Sequence, residues 1–415
     1  MTETRSRQVI IAGAGIAGLT AALAFAERGL GVKVFEQAPR LEAAGAGIQL
    51  SPNATRILRQ LGALDRLAAR AIRPEAVVLK DASSLRELAR VPMGQAGEDR
   101  WRAPYLVAHR ADVQAALLSR VSEQPAISLV TGAEVTGVAT DTSGVTATVE
   151  AEGRTVEARG DLLVGADGVW SSIRALLASQ EPGFANSQFS CELAWRSTVA
   201  ADSAAGRIFS TLGAGDCVTT FLHSGFHMVA YPVSGGEAFN LVAFTRGERI
   251  AEGWSGHADP AILSGAMRGT APALLRLAKE AAPWIAWPIH TVEQRQWTTP
   301  RSVALIGDAA HAMTPFAAQG AVMAIEDAAM LAGTVADFPG DPARSLAVWE
   351  NLRRPRIAKV ARRGALNRLA WHATGPVAIA RNLFVAARGP RKLASDLDWL
   401  YGWEQPRSSG ADRSV

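Results

Sequence analysis

Cysteine is nearly absent: Cys191 and Cys217 are the only two in 415 residues, too few for a disulfide framework, a CxxC redox pair or a cysteine-based zinc site. A disulfide reductase is thereby excluded, no metal site is expected, and a reducing cytoplasm is the expected compartment. Long apolar runs are missing too. The longest uncharged stretch, Cys217 to Gly236, contains Thr219, Thr220, His223, His227, Pro232 and Ser234, too polar for a membrane span of about 20 apolar residues. Neither a membrane span nor an export signal is expected. Between residues 351 and 395 there is no Asp or Glu at all, against eleven Lys and Arg, so the rest of the chain is left with an acidic excess. Nucleic acid, an anionic membrane or an acidic partner would each suit such a segment. The plainer expectation is a helical layer with an Arg-rich solvated face, packed through Trp371, Leu383, Phe384 and Val385, and no nucleic-acid partner.

What is present is the composition of an ordinary globular protein. The chain is 48% hydrophobic and 20% charged, with 38 Gly and 20 Pro, which excludes collagen, coiled-coil and low-complexity architectures and suffices for two or three cored domains. There is no convincing internal repeat.

Gln8 to Ala12 is a short apolar run, Ile16 to Arg28 has helical apolar spacing, and Val32 to Phe35 is a second apolar run. This is a strand, helix, strand unit. Its turn reads Gly13-Ala14-Gly15-Ile16-Ala17-Gly18, and Glu36 ends the second strand. Gly13 permits the tight turn, Gly15 lets a pyrophosphate approach the backbone, and Gly18 allows close helix–strand packing. The N–H groups at the helix start would bind the anion, and Glu36 would accept from ribose hydroxyls. A dinucleotide is therefore expected, although this unit alone does not separate FAD from NAD.

Further along, Asn53 to Leu67 reads as a helix, as does Asp112 to Val121 after the extended Tyr105 to Ala108. Strands separated by Gly144, Gly153 and Gly160 fill Ile127 to Val164, and residues 189 to 245 repeat that texture. A last strand, Ser302 to Ile306, runs into Gly307-Asp308 and a helix from Gln319 to Val335. The expected fold class is α/β, α+β overall: a Rossmann-like FAD-binding domain with an inserted β-sheet substrate domain and C-terminal helices. The expected boundaries are 1–73 with 105–178 and 297–345 for the discontinuous nucleotide domain, 74–104 with 179–296 for the substrate domain, and 346–415 for the helical segment.

Two more motifs join the first: Leu163-Val164-Gly165-Ala166-Asp167-Gly168-Val169-Trp170-Ser171-Ser172-Ile173-Arg174, and Leu305-Ile306-Gly307-Asp308-Ala309-Ala310-His311-Ala312-Met313-Thr314-Pro315. In this order and spacing the three resemble the single-component FAD-dependent aromatic hydroxylases, the group A flavoprotein monooxygenases, over nearly the whole chain. Ala46-Gly47-Ile48 with Pro52-Asn53, Ala318-Gln319-Gly320-Ala321 and Asp398-Trp399-Leu400-Tyr401-Gly402 resemble the salicylate hydroxylase and 6-hydroxynicotinate monooxygenase branch. The resemblance implies non-covalent FAD, with its ADP half on Gly13, Gly15, Gly18, Glu36 and Gln37. It implies an FAD contact from Arg110, an adenine contact through the backbone around Val135, support of FAD and nicotinamide by Asp167, and a ribityl or phosphate contact from Asp308. Backbone N–H groups at Gly320 and Ala321 would stabilise negative charge on the isoalloxazine, because a helix start carries partial positive charge; a turn cap is the plain alternative for Asp308. Ala318 stands where the family often has glycine and Val322 where it often has asparagine, so backbone rather than side-chain contacts to the flavin are expected there. Gln49, counted with the cofactor-binding set, stands where the hydroxynicotinate branch has a histidine.

The family reaction uses NAD(P)H to reduce FAD, and a flavin hydroperoxide delivers oxygen from O₂ to an electron-rich ring. The implied substrate is a small aromatic, a phenolic acid or hydroxylated N-heterocycle. With only one GxGxxG, the nicotinamide would visit transiently; NADH and NADPH are not distinguished, and a monomer or homodimer is expected. His227 and Tyr231, four apart on a predicted strand, share a face and are the candidates for relaying the phenolic proton and bonding the substrate. Tyr231 matches a substrate-contacting tyrosine of the hydroxynicotinate branch, and Cys217 approximates its active-site cysteine. Both His227 and Tyr231 have a plain alternative as satisfied core residues. His311 is expected to support the flavin loop, and Arg196 to sit in a surface salt bridge, with a substrate carboxylate as its other possible partner. Competing functions are an epoxidase or non-aromatic hydroxylase on the same scaffold, a flavin oxidase or dehydrogenase, and a flavin-binding regulator using the cationic segment.

Overall fold

A computed structural model describes residues 7–41, 46–213, 215–248, 259–293 and 295–406; residues 407–415 of the expected helical segment lie outside them. The architecture is mixed α/β. Five short strands form a parallel sheet in the order Val303–Leu305, Leu162–Gly165, Gln8–Ala12, Gly31–Glu36 and Ile127–Thr131. The first three are almost wholly buried, and burial on both faces explains their continuous apolar reading, whereas the edge strand Ile127–Thr131 is largely exposed. The helix Ile16–Ala26 packs against Arg110–Ser122 and Gly320–Asp337, with Leu19, Leu23 and Phe25 fully buried. A three-stranded antiparallel meander, Ala133–Asp141, Gly144–Ala151 and Arg154–Gly160, is inserted before Leu162–Gly165. Gly47–Leu50 pairs antiparallel with Leu106–His109.

The second large sheet has seven strands, in the order Ile285–Val292, Ser187–Ala200, Ala238–Arg246, Phe226–Val233, Val218–Leu222, Ala76–Asp81 and Glu87–Pro92. Period-two alternation gives it two faces. Leu193, Trp195, Phe221, Phe226, Met228 and Leu241 form a core with the helices Ala204–Gly213, Pro260–Ala266 and Pro272–Glu280. The opposite face carries His227, Tyr231, Asn240, Val242, Phe244 and Arg196, in register across three strands.

Three expectations need correction. The single helix expected over Asn53–Leu67 is two, Pro52–Gln60 and Leu64–Ala68, because Gly62 between them takes a φ of +69°. The boundary expected at 345–346 falls inside one continuous helix, Pro342–Trp371. The cationic segment is helical and Trp371 packs inward as expected, but two of its apolar side chains and two of its guanidiniums depart from the expectation. Leu383 and Phe384 are 66% and 60% exposed, whereas Arg353 is fully buried and Arg356 nearly so. Those guanidiniums are drawn inward by buried carboxylates described below.

Candidate functional site

The three motifs, each pairing glycine with an acid, converge at the ends of the parallel strands. Gly13, at φ +99°, donates its N–H to Phe35 O at 2.7 Å. A Cβ there would lie 2.6 Å from Ala166 O, and one on Gly18 would lie 1.9 Å from Gly13 O, so both glycines are fixed by backbone packing. Gly15 differs: nothing lies within 4 Å of a Cβ built on it, and it opens the helix Ile16–Ala26 with no side-chain cap. The approach to the uncapped N–H groups is therefore clear. Glu36 stands beside this turn, accepting from Ala14 N at 2.7 Å and Ala38 N at 2.9 Å. Each of its oxygens keeps acceptor capacity for a hydroxyl. Gln37 next to it is exposed.

Asp167 is partly buried in the second motif, accepting from Ile173 N at 3.0 Å and Ser172 Oγ at 3.2 Å, while its buried Oδ1 has no hydrogen-bond partner. Burial pushes its carboxyl up, against the hydrogen bonds from Ser171, Ile173 and Ser172. Arg174 joins this motif to the third, donating to Val169 O and, at 2.7 Å, to Ala309 O. Asp308 is exposed after Gly307, whose φ is +58°, and its Oδ1 faces Gly320, the first residue of the helix Gly320–Asp337. Gly320 and Ala321 thus present helix-start N–H groups beside Asp308. Ala318, just before, holds the left-handed conformation at φ +52°, a position that costs any residue with a Cβ. Val322 is fully buried. Arg110 is exposed at the start of its helix, its N–H bonded to Ala46 O at 2.8 Å, and Val135 is buried beside a bulge in the meander. The Gln49 side chain accepts from the Tyr105 hydroxyl at 2.6 Å.

Beneath the Pro315–Gly320 loop lies a charge cluster that the motifs did not announce. Arg353 donates to Glu326 and Asp327, both at 2.7 Å, and Arg356 grips Glu326 through two 2.6 Å bonds; Arg353, Glu326 and Asp327 are fully buried. Asp327 also accepts from Gly307 N at 3.0 Å and pairs with His311 Nε2 at 2.6 Å. Burial alone would raise the Asp327 carboxyl, but His311 and Arg353 outweigh it and hold it at about 2. Asn53 Nδ2 donates to Glu326 at 2.6 Å, and Gln319 Nε2 to Ser51 Oγ at 3.1 Å. The cluster fixes both Gly307 and the start of the helix that presents Gly320. His311 therefore acts from inside the core, not from the loop surface.

The open face of the seven-stranded sheet meets this cradle at two places. Gly47 donates its N–H to Asn240 Oδ1 at 2.8 Å, and a Cβ on Gly47 would lie 2.6 Å from the Tyr231 hydroxyl oxygen. His227 stacks on Phe244 at 4.5 Å and touches Phe316 at 5.0 Å between ring centroids. His227 and Tyr231 therefore share a face, as expected, and both are buried. Burial pushes the Tyr231 phenol up, against Arg196. Cys217 does not join them. It lies two residues before Thr219, which pairs with Ala230 on the far face, and it packs with Ala76 and Val78. Its expected place beside a substrate is corrected by strand parity.

Arg196 is the other correction. It forms no ion pair or hydrogen bond among the described residues and is partly buried, its guanidinium 5.0 Å from the Trp287 ring centroid. Burial, together with Arg110, pushes it down to about 10. Nearby, Asn240 Nδ2 is a buried donor without a partner. Arg196, Asn240 and Tyr231 put three donors on adjacent strands of one face, with Val229, Val242 and Phe244 between and beside them. Sequence signals for Arg196 were equivocal, because only its surroundings reveal the missing carboxylate.

Residues 6–363 match a family model described as FAD binding domain. The chain is 32% identical over 397 residues to 3-hydroxybenzoate 6-hydroxylase of Polaromonas naphthalenivorans, covering 95% of this chain and 96% of that one. It is 33% identical over 400 residues to 3-amino-4-hydroxybenzoate 2-monooxygenase of Streptomyces cremeus, covering 96% and 95%. The fold is similar to that of Klebsiella pneumoniae HpxO complexed with FAD and uric acid, with a TM-score of 0.80 at 24% identity over 95% of this chain and 96% of that one.

Proposed function

Belonging to the FAD-binding-domain family, the chain is an FAD-dependent monooxygenase, and we propose that it hydroxylates a small phenolic acid held on the open face of the seven-stranded sheet. When bound, FAD takes electrons from NAD(P)H and activates O₂. The Gly13–Gly18 turn would hold the pyrophosphate, Gly13 and Gly18 shaping the turn and Gly15 leaving it accessible. Glu36 and Gln37 would take the adenosine ribose, the backbone at Val135 the adenine, and Arg110 the phosphates. Asp167 and Asp308 would bind on either side of the Arg174 bridge, with the N–H groups of Gly320 and Ala321 directed at the ring that gains negative charge. Gln49 would face the flavin from the strand that touches Tyr231.

The observation that carries the substrate reading is the contact of one sheet face with both loops of the cradle, at Gly47 and at Phe316. An aromatic guest there would lie among Val229, Val242 and Phe244, with water excluded. Arg196 would counter its carboxylate, Tyr231 would bond it, and His227 would accept the phenolic proton. Relatives named for hydroxybenzoates support the acid over a neutral phenol.

The test is a panel of hydroxybenzoates, aminohydroxybenzoates and hydroxylated N-heterocycles with the purified yellow protein, following NAD(P)H consumption and oxygenated product. A phenolic acid should stimulate oxidation and be hydroxylated. Stimulation giving peroxide alone would mark that compound as an effector, and a protein that stays colourless on reconstitution would end the proposal.

A further inference from the structure

His227 does not stand alone on its strand. Its Nδ1 lies 3.3 Å from Nε2 of His372, the residue that closes the long helix Pro342–Trp371. Trp371 and Phe316 pack on the same imidazole, at 4.9 and 5.0 Å, and Phe244 stacks on it at 4.5 Å. Three aromatic rings and one histidine therefore surround a buried base. A base so placed takes a proton once and then stops, unless the proton has somewhere to go. Among the described residues, Nε2 of His227 makes no hydrogen bond, so that nitrogen remains for a ligand while Nδ1 is committed to His372. His372 is partly exposed.

We infer that His372 is the proton acceptor behind His227, carrying the substrate's phenolic proton from the buried site to solvent; this rests on the reading of the site given above. In balanced form, the phenol O–H gives its proton to Nε2 of His227. The proton on Nδ1 of His227 passes to Nε2 of His372, and the proton on Nδ1 of His372 leaves to water. The electron pair of the broken O–H bond stays on the phenolate, which activates the ring toward an electrophilic oxygen. Both imidazoles end neutral with exchanged tautomers. His372 touches no reacting atom and acts through His227.

The surroundings favour neutral rings that can accept. Burial pushes His227 well below the usual imidazole range, with His372 adding to it. His372 is held at about 4, by burial first and then by Arg368, Arg246 and His223. Arg368 is itself paired with Glu192 at 2.8 Å, and Arg381, which donates to Ala370 O, faces Asp81 across the same corner. No carboxylate is paired with either imidazole among the described residues, so nothing traps the proton on the way out.

The test compares His372→Ala and His372→Gln holoenzymes with wild type. Glutamine keeps a hydrogen bond to His227 but cannot accept and release a proton. Both variants should lose kcat by at least about tenfold while KM and the flavin spectrum stay unchanged, and added imidazole should restore His372→Ala severalfold. Full activity of His372→Gln beside a slow His372→Ala would overturn the relay, leaving only a positioning bond; so would unchanged kcat in both. A second readout needs no substrate. Nitrogen spectra of histidine-labelled, FAD-loaded protein should show a hydrogen-bonded Nδ1–H on His227 that shifts in His372→Ala, and no shift would overturn the pairing. If that shift is present while no phenolic acid is hydroxylated, the substrate reading fails and the imidazole pair stands.

Discussion

Two polar regions flank the proposed flavin position, and they are built on opposite principles. Below the Pro315–Gly320 loop, Glu326, Asp327, Arg353, Arg356 and His311 are buried with their charges matched by partners at 2.6 to 2.7 Å. On the open sheet face, Arg196 has no carboxylate and Asn240 Nδ2 has no acceptor among the described residues. A satisfied network fixes geometry, because every member is held by another. An unsatisfied set of donors costs free energy in the protein alone and repays it only when an acceptor arrives. Saturation marks scaffold, and deficit marks a place for a ligand.

The comparison is broken most severely at Arg353. Arg353→Met removes the guanidinium shared by two fully buried carboxylates, leaving Asp327 to His311 and Gly307 N and Glu326 to Arg356 and Asn53, a loss of about 3–5 kcal/mol. Thermal unfolding should show it as a large fall in Tm with loss of FAD; a stable, yellow Arg353→Met protein would mean the network is not structural. The sheet face should respond the other way. Arg196→Gln should leave Tm unchanged or raised while increasing KM for a hydroxybenzoate about 10–100-fold, the worth of one charged hydrogen bond. If KM stays put, or a neutral phenol suffers equally, Arg196 does not read a carboxylate. Tyr231→Phe sharpens the same point more gently, slowing hydroxylation severalfold without altering FAD affinity, as steady-state rates and flavin titration would show. Smallest is Ala318→Gly. Relief of the φ +52° conformation should exceed the backbone entropy that glycine adds, for a gain of about 0.5–1 kcal/mol. A lower Tm would show that the Ala318 methyl packs usefully.

Acidity should distinguish the regions as well. His227 and His372 have their protonation depressed in the folded chain, so the unfolded chain binds more protons between the ordinary imidazole range and about pH 4. Stability therefore falls as pH drops through that window. Asp327, held at about 2, contributes stability that is lost only at lower pH. Denaturant midpoints measured from pH 7 to pH 4 should decline less in His372→Gln than in wild type.

The parts of this protein that were legible in its sequence are those whose information is local. Gly13 and Gly18 announce a turn between two strands because backbone geometry over a few residues demands them, and Gly15 and Glu36 stand at fixed distances from that turn. Asp167 and Asp308 were findable for the same reason, each ending a short apolar strand. Glu326, Asp327 and Arg353 were not. Arg353 falls in the segment expected to carry a solvated Arg-rich face, Glu326 and Asp327 belong to no motif, and only the packing of Gly320–Asp337 against Pro342–Trp371 brings the three together. Cys217 was misplaced because the face of a strand residue depends on a register that no single strand contains. Arg196 and His372 were undecidable alone: what matters about the first is a missing neighbour, and about the second a neighbour 145 residues away.

The helix Pro342–Trp371 has 30 residues, a rod about 45 Å long at 1.5 Å per residue. Arg353 and Arg356 near its middle belong to the coenzyme side, and Trp371 with His372 at its tip belongs to the substrate side. Exchanging this stretch between relatives with different guests would therefore perturb coenzyme grip and guest chemistry together. Descent toward new guests is easier through the sheet, whose guest-facing side chains can change one at a time while the rod stays as it is.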